Sequence, residues 1–168
     1  VRDPETAEIT IRSALTGHLV FSTLHTNDAA GGVTRLLDMG IEPYLLASSV
    51  HCFLAQRLVR LVCTDCQEER PVEARVLVPF SLVGPPPRML RYGRGCPACK
   101  GTGFKGRTAI HEFLVITEGV RQQILRRGSS SDILQAAQRE TPMQTLRQDG
   151  FRKFLDGLTT PEEVLRVT

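Results

Sequence analysis

The 168-residue sequence contains no tryptophan, and aromatic side chains make up only 5% of it. Its formal net charge is only +3. Proteins that bind nucleic acid present a basic face with interleaved aromatic side chains, so this composition argues against that class. The sequence also has no apolar run of about 18 residues, and we therefore expect no membrane-spanning helix. Hydrophobic residues still make up 41% of the chain, enough for the core of one ordinary domain or two small ones.

Two further absences concern the start of the chain and nucleotide binding. The N-terminal VRDPETAE has neither an initiating methionine nor the pattern of a signal peptide, and we expect it to come from the middle of a longer protein. No G-x-x-x-x-G-K-S/T loop occurs anywhere in the sequence. The amides and the lysine of such a loop hold nucleotide phosphates. We therefore expect no complete phosphate-binding site in this chain alone.

Four of the five cysteines form two C-x-x-C pairs, CTDC and CPAC, separated by residues 67–95. Four thiolates at this spacing can surround a tetrahedral zinc ion and leave no open position for water, so the metal would be structural. We therefore predict a zinc site formed by Cys63, Cys66, Cys96 and Cys99. The alternatives are two disulfides, one redox pair, or four unrelated core cysteines. A zinc tetrathiolate carries a charge of −2, which would reduce the formal charge to +1, and it suits a reducing compartment.

Capping residues predict two helices in the first quarter of the chain. The sequence DPE at residues 3–5 can cap and open a helix that ends at Gly17. A second helix is predicted over residues 29–39, with Gly40 as its stop.

An apolar run at residues 18–24, HLVFSTL, predicts a buried strand of a parallel sheet. Residues 25–28 would then leave the carboxyl end of this strand, the edge at which open α/β sheets bind ligands. A third helix is predicted from Pro43 through residues 44–57, with His51 and Cys52 at packed core or groove positions, followed by a strand, RLVRLV, into the first cysteine pair.

The second half of the chain is predicted to be irregular at first and helical later. Residues 67–95 are proline-rich and predict loops and short strands held by the metal. GRTAIHEFLVI, at residues 106–116, predicts a strand. Helices are predicted from Glu118 onward, with an N-cap at residues 129–131 and capping boxes at residues 141–144 and 160–163.

Several of these stretches resemble motifs of the type II secretion and type IV pilus assembly ATPases. VRDPET at residues 1–6 is similar to the end of the family's Walker B segment, and TGHLVFSTLHTND at residues 16–28 to its histidine box. The similarity continues through TRLLDMGIEP, the cysteine pairs, GRTAIHE and the terminal LTTPEEVLRVT, and leaves out only the proline-rich segment. Retraction motors generally lack the cysteine pairs. The chain therefore resembles the secretion or pilus-extension branch, with MGIEPYLLASSV closer to secretion.

The resemblance implies an α/β fold, the C-terminal part of a RecA-like P-loop ATPase sheet with an inserted tetracysteine zinc subdomain and a C-terminal helical subdomain. Its boundaries would be 1–62 for the back half of the ATPase domain, 63–106 for the zinc insertion, 107–117 for a return strand and 118–168 for the helices. It also implies a homohexameric, cytoplasmic ATPase that uses ATP and magnesium. Such a motor is peripheral to the inner membrane and drives pseudopilus assembly and protein export. Its partners would be inner-membrane platform and cytoplasmic-domain proteins, and we expect no nucleic acid.

The predicted site residues follow from the two N-terminal motifs. His25, at the carboxyl end of the predicted strand, can hydrogen-bond a γ-phosphate or its attacking water. His18 has the opposite strand parity and would lie about 20 Å away along an extended strand, so a structural role for it stays as open as a functional one. Arg2 and Asp3 end the Walker B segment by resemblance, and Asp3 can also cap a helix. The family's catalytic glutamate would precede Val1, so we expect no ATP hydrolysis by this chain alone.

The remaining motif residues are given structural roles. We expect packing and a salt bridge, not catalysis, for Arg107, His111 and Glu112, and a solvated surface or a subunit interface for Arg57 and Arg60.

Three functions from other classes stay open at this point. CPACKGTG at residues 96–103 fits the zinc repeat of Hsp40-type cochaperones, but they need four copies and this chain has one. A zinc-ribbon nucleic-acid binder would need the basic, aromatic face that is lacking here. A non-catalytic, zinc-stabilised protein-interaction module is the third, with residues 67–95 touching a membrane platform protein.

Overall fold

The computed structural model describes residues 1–73, 77–80 and 89–168 of this mixed α/β chain. The helices are α1 (Pro4–Leu15), α2 (Ala29–Asp38), α3 (Pro43–Ser49), α4 (Glu118–Leu125), α5 (Ser130–Glu140), α6 (Leu146–Leu155) and α7 (Pro161–Val167). The strands are β1 (Cys52–Val62), β2 (Gln67–Pro71), β3 (Met89–Gly93) and β4 (Phe104–Val115), and short 3-10 helices span Val78–Phe80 and Pro97–Cys99. None of the described helices combines the length and hydropathy that a membrane span requires.

The chain divides into two compact units, each built from two separate segments of sequence. The first unit comprises Val1–Ala55 and Glu112–Met143, and the second comprises Gln56–His111 and Gln144–Thr168.

The described strands form two two-stranded sheets, β1 with β4 and β2 with β3. The β2–β3 pair is antiparallel, with Gln67 opposite Gly93. Beside β1 and β4, the Ile116 amide donates to the His51 carbonyl and the Cys63 amide donates to the Gly103 carbonyl, both at 2.9 Å. The start of β1 thus lies opposite the end of β4, and the end of β1 lies opposite the start of β4, so these two strands also run antiparallel. The predicted strands at residues 57–62 and 106–116 are confirmed, as are short strands in the described part of residues 67–95. The prolines at 85–87 lie outside the described range.

The core of the first unit comes from α1 to α5 and the end of β4. Its largest buried side chains include Ile11, Leu36, Leu46, Leu114, Ile124 and Ile133. The two helices predicted in the first quarter are confirmed as α1 and α2. Both end at a glycine with positive φ, Gly17 at +94° and Gly40 at +89°. The amides of each glycine and of the residue after it bond carbonyls of the last turn, which is the Schellman ending.

Residues 18–24, predicted to be a buried strand, form no strand in this chain. Leu19 is 78% exposed and Phe21 is 87% exposed. A strand needs a neighbour for its backbone hydrogen bonds, and no described strand pairs with this segment. The prediction is therefore wrong for this chain, because both burial and pairing depend on a partner that the described residues do not supply.

The third predicted helix is also too long. α3 ends at Ser49, and β1 begins at Cys52, so neither His51 nor Cys52 is helical. Both are exposed and not at packed core positions as predicted. Apolar residues at 50, 53 and 54 fit a helical stripe, but the same stretch alternates between more and less exposed side chains along β1. Pairing with β4 decides in favour of the strand, and local periodicity cannot detect that partner.

Two of the predicted C-terminal helix starts are confirmed, and helical structure begins at Glu118 as expected. Ser129 caps α5 and forms a capping box with Asp132. Thr160 caps α7 by accepting from the Glu163 amide. The reciprocal half of the box predicted at residues 160–163 does not form, because the Glu163 carboxylate accepts from Arg60 and Arg166 instead.

The capping box predicted at residues 141–144 is wrong. Thr141 is the C-cap of α5, and the next helix is capped by Thr145, whose box partner is Gln148. Residues 141–144 and residues 145–148 both have the sequence pattern T-x-x-Q. Met143 is buried in the core of the first unit, which places residues 141–144 in the connection between the helices.

The second unit has its own apolar core around α6 and α7. Leu77, Phe80, Leu90, Phe154 and Val164 are buried there. The rings of Phe80, Phe151 and Phe154 pack with centroids 4.7 to 5.4 Å apart, the spacing of favourable aromatic pairs.

Candidate metal centre and histidine segment

The four cysteines of the two C-x-x-C pairs come together in the second unit. Their sulfur atoms all lie within 4.8 Å of one another. The Sγ–Sγ distance is 4.0 Å from Cys63 to Cys96, 3.9 Å from Cys66 to Cys99, and 3.7 Å from Cys96 to Cys99. Zinc–sulfur bonds of about 2.3 Å would place tetrahedral sulfurs about 3.8 Å apart. The cluster therefore has the dimensions of a four-thiolate metal site, and the four residues could hold a metal ion.

These distances exclude two of the alternatives for the cysteines. Disulfide sulfurs lie about 2.05 Å apart, and all five cysteines are free thiols. The clustering also contradicts four unrelated core positions. Cys52, the fifth cysteine, is exposed at the start of β1 and belongs to the other unit.

The strand ends bring the cysteine pairs together. Cys63 and Cys66 lie between β1 and β2, while Cys96 and Cys99 lie between β3 and β4. Because β2 pairs with β3 and β1 with β4, both knuckles fall at the same end of the strand pairs. The Arg94 amide donates to the Cys66 carbonyl at 3.0 Å, which joins the two knuckles by backbone.

Backbone amides donate hydrogen bonds to the sulfurs. The Gly95 amide donates to Cys66 Sγ at 3.3 Å, and the amides of Cys96 and Gly103 donate to Cys99 Sγ at 3.1 and 3.2 Å. The Cys96 amide lowers the pKa of Cys99 to about 6. Burial raises the pKa of Cys66 to about 12. Amides alone therefore stabilise one thiolate but not its neighbour, and a bound cation would lower the pKa values of the remaining thiols.

Two glycines let the backbones of the knuckles approach closely. A Cβ atom on Gly93 would lie 1.9 Å from the Gly103 carbonyl oxygen, and one on Gly103 would lie 2.4 Å from the Gly93 oxygen. Gly103 also has a φ of +76°, which a side chain disfavours. Only glycine fits at these two positions, and the close approach is what aims the Gly103 amide at Cys99.

Residues 25–28, called the histidine segment below, lead into α2 in the first unit. His25 is exposed and lies in no strand. Thr26 Oγ1 donates to the Asp28 carbonyl at 3.0 Å, and Asp28 caps α2 by accepting from the Gly31 amide at 2.6 Å. A shallow depression of about 260 Å³ lies here, lined by Thr26, Asn27, Asp28, Gly31, Thr34, Arg35 and Asp38. His25 is therefore accessible beside a polar surface, and its backbone continues directly into a capped helix.

Two more predicted site residues, Arg2 and Asp3, lie at the start of the chain. Asp3 caps α1, accepting from the Thr6 amide at 2.8 Å, and this hydrogen bond lowers the pKa of Asp3. Arg2 is exposed. The backbone nitrogen of Val1 lies within hydrogen-bonding distance of the Thr23 carbonyl, two residues before His25.

His18 has a local partner in the same unit. Its ring Nδ1 lies 3.0 Å from Thr16 Oγ1 and 3.3 Å from the Ser13 carbonyl oxygen, at the C-terminal end of α1. These contacts hold His18 at the end of α1, and neither of them is with the histidine segment.

Sequence reasoning missed the role of Glu112. Packing was expected and is seen, since Glu112 is only 4% exposed, but the hydrogen bond that its carboxylate accepts from the Ala29 amide at 2.8 Å was not predicted. The signal was present in the sequence. Glu112 stands between Ile110 and Leu114 in the alternating pattern of β4, at a position that faces the interior.

Comparisons with known proteins agree with these observations. The chain matches the sequence model of the family described as Type II/IV secretion system protein over residues 1–166. It is 47% identical over its whole length to the type II secretion system protein E of Aeromonas hydrophila, of which it covers 33%. It is 46% identical over 170 aligned residues to the type IV pilus assembly ATPase PilB of Thermus thermophilus, and covers 19% of that protein.

A solved structure has the same fold. The whole chain superposes on the pilus retraction motor PilT with bound ADP, with a TM-score of 0.64 and 22% identity, and covers 37% of that chain. The chain thus spans about a third of the length of the first relatives it matches. With a family match across almost all of its residues, the chain belongs to the type II/IV secretion system protein family.

Proposed function

We propose that this chain is the C-terminal portion of a hexameric type II secretion motor, which couples ATP hydrolysis to pseudopilus assembly and protein export. The observation that carries the proposal is the 47% identity to a type II secretion system protein E along the whole chain. Type IV pilus extension is the second candidate, because the identity to a pilus assembly ATPase is 46%. The proposed motor is cytoplasmic and peripheral to the inner membrane. It works with a membrane platform and cytoplasmic-domain proteins, and it uses no nucleic acid.

The proposed organisation keeps the divisions expected from the sequence. Residues 1–62 form the back half of a RecA-like ATPase domain, 63–106 a zinc-binding insertion, 107–117 a return strand and 118–168 a helical subdomain. The exposed Leu19 and Phe21 support the first of these assignments alone, since an exposed apolar segment suits contact with the rest of a larger domain.

The four clustered cysteines hold zinc in this proposal, and the metal has a structural role. Its four sulfur ligands leave no open position, so zinc supplies folding energy and no reaction chemistry. The spacing of the sulfurs and the amides aimed at them support this assignment. A non-catalytic interaction module, formed by residues 67–95 and held by the metal, is the alternative from another class.

ATP and magnesium bind in the longer protein, because this chain lacks the G-x-x-x-x-G-K-S/T loop. In our proposal His25 donates a hydrogen bond to the γ-phosphate or orients the attacking water. Arg2 and Asp3 end the neighbouring Walker B segment, and His18 has a supporting structural role. The 168-residue chain by itself does not hydrolyse ATP.

The function is tested with His25→Ala in the longer protein. Loss of a hydrogen bond to the transition state costs about a hundredfold in kcat, so we expect that drop together with loss of protein export. His51→Ala is the matched control, since His51 is also exposed in the same unit but lies beside β1. Equal ATPase rates in the two variants would contradict the role of His25.

Two further measurements separate the alternatives. Magnesium-dependent ATP turnover by the bare chain would overturn its proposed inactivity. Expression of the longer protein in cells that lack a secretion motor should restore export. Restoration of pili in cells that lack a pilus extension motor, with no restoration of export, would favour the second candidate.

A further inference from the structure

Glu112 is a charged residue in a row of core positions. Along β4, Ile110 and Leu114 are fully buried, and Glu112 between them is only 4% exposed. A strand that only had to pack would carry an apolar side chain here. Removing a carboxylate from water costs several kcal/mol unless hydrogen bonds replace its hydration. The burial of Glu112 therefore requires a specific partner.

A helix start provides that partner. Glu112 Oε1 accepts from the backbone amide of Ala29, the first residue of α2, at 2.8 Å. The first amides of a helix have no partner within the helix, and they carry the positive end of its dipole. Asp28 accepts from the Gly31 amide at the same helix start. Two carboxylates thus satisfy amides of the first turn, one from the local sequence and one from a strand distant in sequence.

The same turn of α2 is also held by close packing. A Cβ atom on Gly32 would lie 2.7 Å from the ring of Phe53, so the helix backbone sits directly against β1. The first turn of α2 is therefore fixed to two strands of the unit, by a hydrogen bond to β4 and by contact with β1.

His25 depends on this fixed turn for its position. It lies three positions before Asp28, a backbone path of at most about 11 Å. On its other side, residues 18–24 have no partner strand among the described parts of the chain. Leu24 packs against the core directly before His25, and the start of α2 is the nearest element of regular structure to the imidazole.

We infer that Glu112 is a positioning residue for His25, acting through the amide of Ala29 and the first turn of α2. The inference rests on the proposed function, in which His25 acts on the γ-phosphate. The inference also limits what the start of α2 can bind. Its first turn already binds two carboxylates, so that helix start supports the imidazole and does not itself bind phosphate.

The test measures ATPase kinetics of the longer protein with three substitutions at Glu112. Glu112→Ala should lower kcat at least about tenfold while KM for ATP changes less than about threefold, because the bound state is kept and the transition-state contact is lost. Glu112→Gln keeps the reach and an acceptor oxygen, and should retain most of the activity. Glu112→Asp keeps the charge but is one methylene too short, and should be impaired. High activity of the Asp variant with an inactive Gln variant would overturn positioning, since charge and not reach would then matter.

Glu140→Ala is the matched control. Glu140 also caps a helix in the same unit, accepting from the Gly119 amide at the start of α4 at 3.1 Å with both carboxylate oxygens. We expect its kcat and KM to stay within about twofold of wild type. A drop equal to that of Glu112→Ala would show that any lost helix cap in this unit has the same effect, and would overturn the inference.

A double-mutant cycle separates positioning from general support of the fold. If Glu112 acts through His25, then adding Glu112→Ala to His25→Ala lowers kcat no further. If the double variant instead lost kcat by the product of the two single-variant losses, the inference would be overturned while the proposed function would stand. If His25→Ala alone leaves kcat unchanged, the proposed function fails and the inference fails with it. Should Glu112→Ala not fold, the Gln and Asp pair still decides the question.

Discussion

Glu163 on α7 offers a test of how the second unit holds its C-terminal helix. Its carboxylate is 3% exposed and accepts from the backbone amide of Arg60 at 3.1 Å and from the Arg60 guanidinium at 2.6 Å. Arg166, one turn later on the helix, donates two more hydrogen bonds at 3.1 and 3.0 Å. Arg60 also lies over the ring of Phe104, 4.2 Å from its centroid. The contacts join α7 to β1 around one buried charge.

The size of this stabilisation follows from the pKa. The Arg60 hydrogen bond is the first cause that lowers the pKa of Glu163 from 4.5 to about 2. A difference of about 2.5 units corresponds to about 3 kcal/mol of unfolding free energy. Both guanidinium groups are about half exposed, and solvent screening reduces the figure to roughly 2 kcal/mol. We therefore expect Glu163→Gln to destabilise the second unit by roughly 2 kcal/mol at pH 7.

The direction in which this stability difference changes with pH can also be predicted. A carboxylate with a lowered pKa in the folded state stabilises the protein above its unfolded pKa, and the contribution is lost as the pH falls towards the folded pKa. The difference between wild type and Glu163→Gln should thus be complete above about pH 5 and nearly absent at pH 2. Urea unfolding followed by circular dichroism measures it, since the chain has no tryptophan. Comparing both proteins at each pH removes the effect of metal release by acid.

The neighbouring Glu162 is the control for this experiment. It is on the same helix and exposed, so Glu162→Gln should change stability by less than about 0.5 kcal/mol. A Glu163→Gln effect that equals this control, or one that does not vary between pH 7 and pH 2, would refute the reasoning.

The remaining predictions concern the metal centre. Elemental analysis should find about one zinc per chain, much less in Cys99→Ser, and an unchanged amount in Cys52→Ser, because that thiol is not among the four clustered sulfurs and belongs to the other unit. Equal zinc in both variants would contradict the four-sulfur site. Gly103→Ala should lose zinc to a chelator faster than Gly101→Ala. Both glycines have positive φ, but only at Gly103 would a Cβ meet backbone, at 2.4 Å from Gly93, and equal rates would show that the close approach is unimportant.

Features with a local cause were predictable from the sequence. The cap at Asp3 and the stop at Gly17 each depend on one residue and its immediate neighbours, and α1 forms between them. The two C-x-x-C pairs predicted a four-sulfur cluster because four thiols at that spacing have few other arrangements. That zinc is the metal remains a prediction, as does the role of His25.

Features with a distant cause were not predictable. Residues 50–57 fit both a helix and a strand, and the choice depended on pairing with the end of β4, about sixty residues later in the chain. Burial of residues 18–24 was expected from their apolar character, but a strand forms only beside another strand. The hydrogen bond from Ala29 to Glu112 was not predicted, since nothing in the sequence around Glu112 points to an amide at residue 29.

The sequence by itself determined where α1 and α2 start and stop, which four thiols form one cluster, and to which family the chain belongs. These follow from short-range chemistry and from the order of residues along the chain. Only the tertiary structure decided that a buried carboxylate on β4 holds the first turn of α2, and that Glu163 joins α7 to β1. Both contacts link residues more than eighty positions apart, and a contact of that kind exists only after the backbone has folded to bring the two groups within hydrogen-bonding distance.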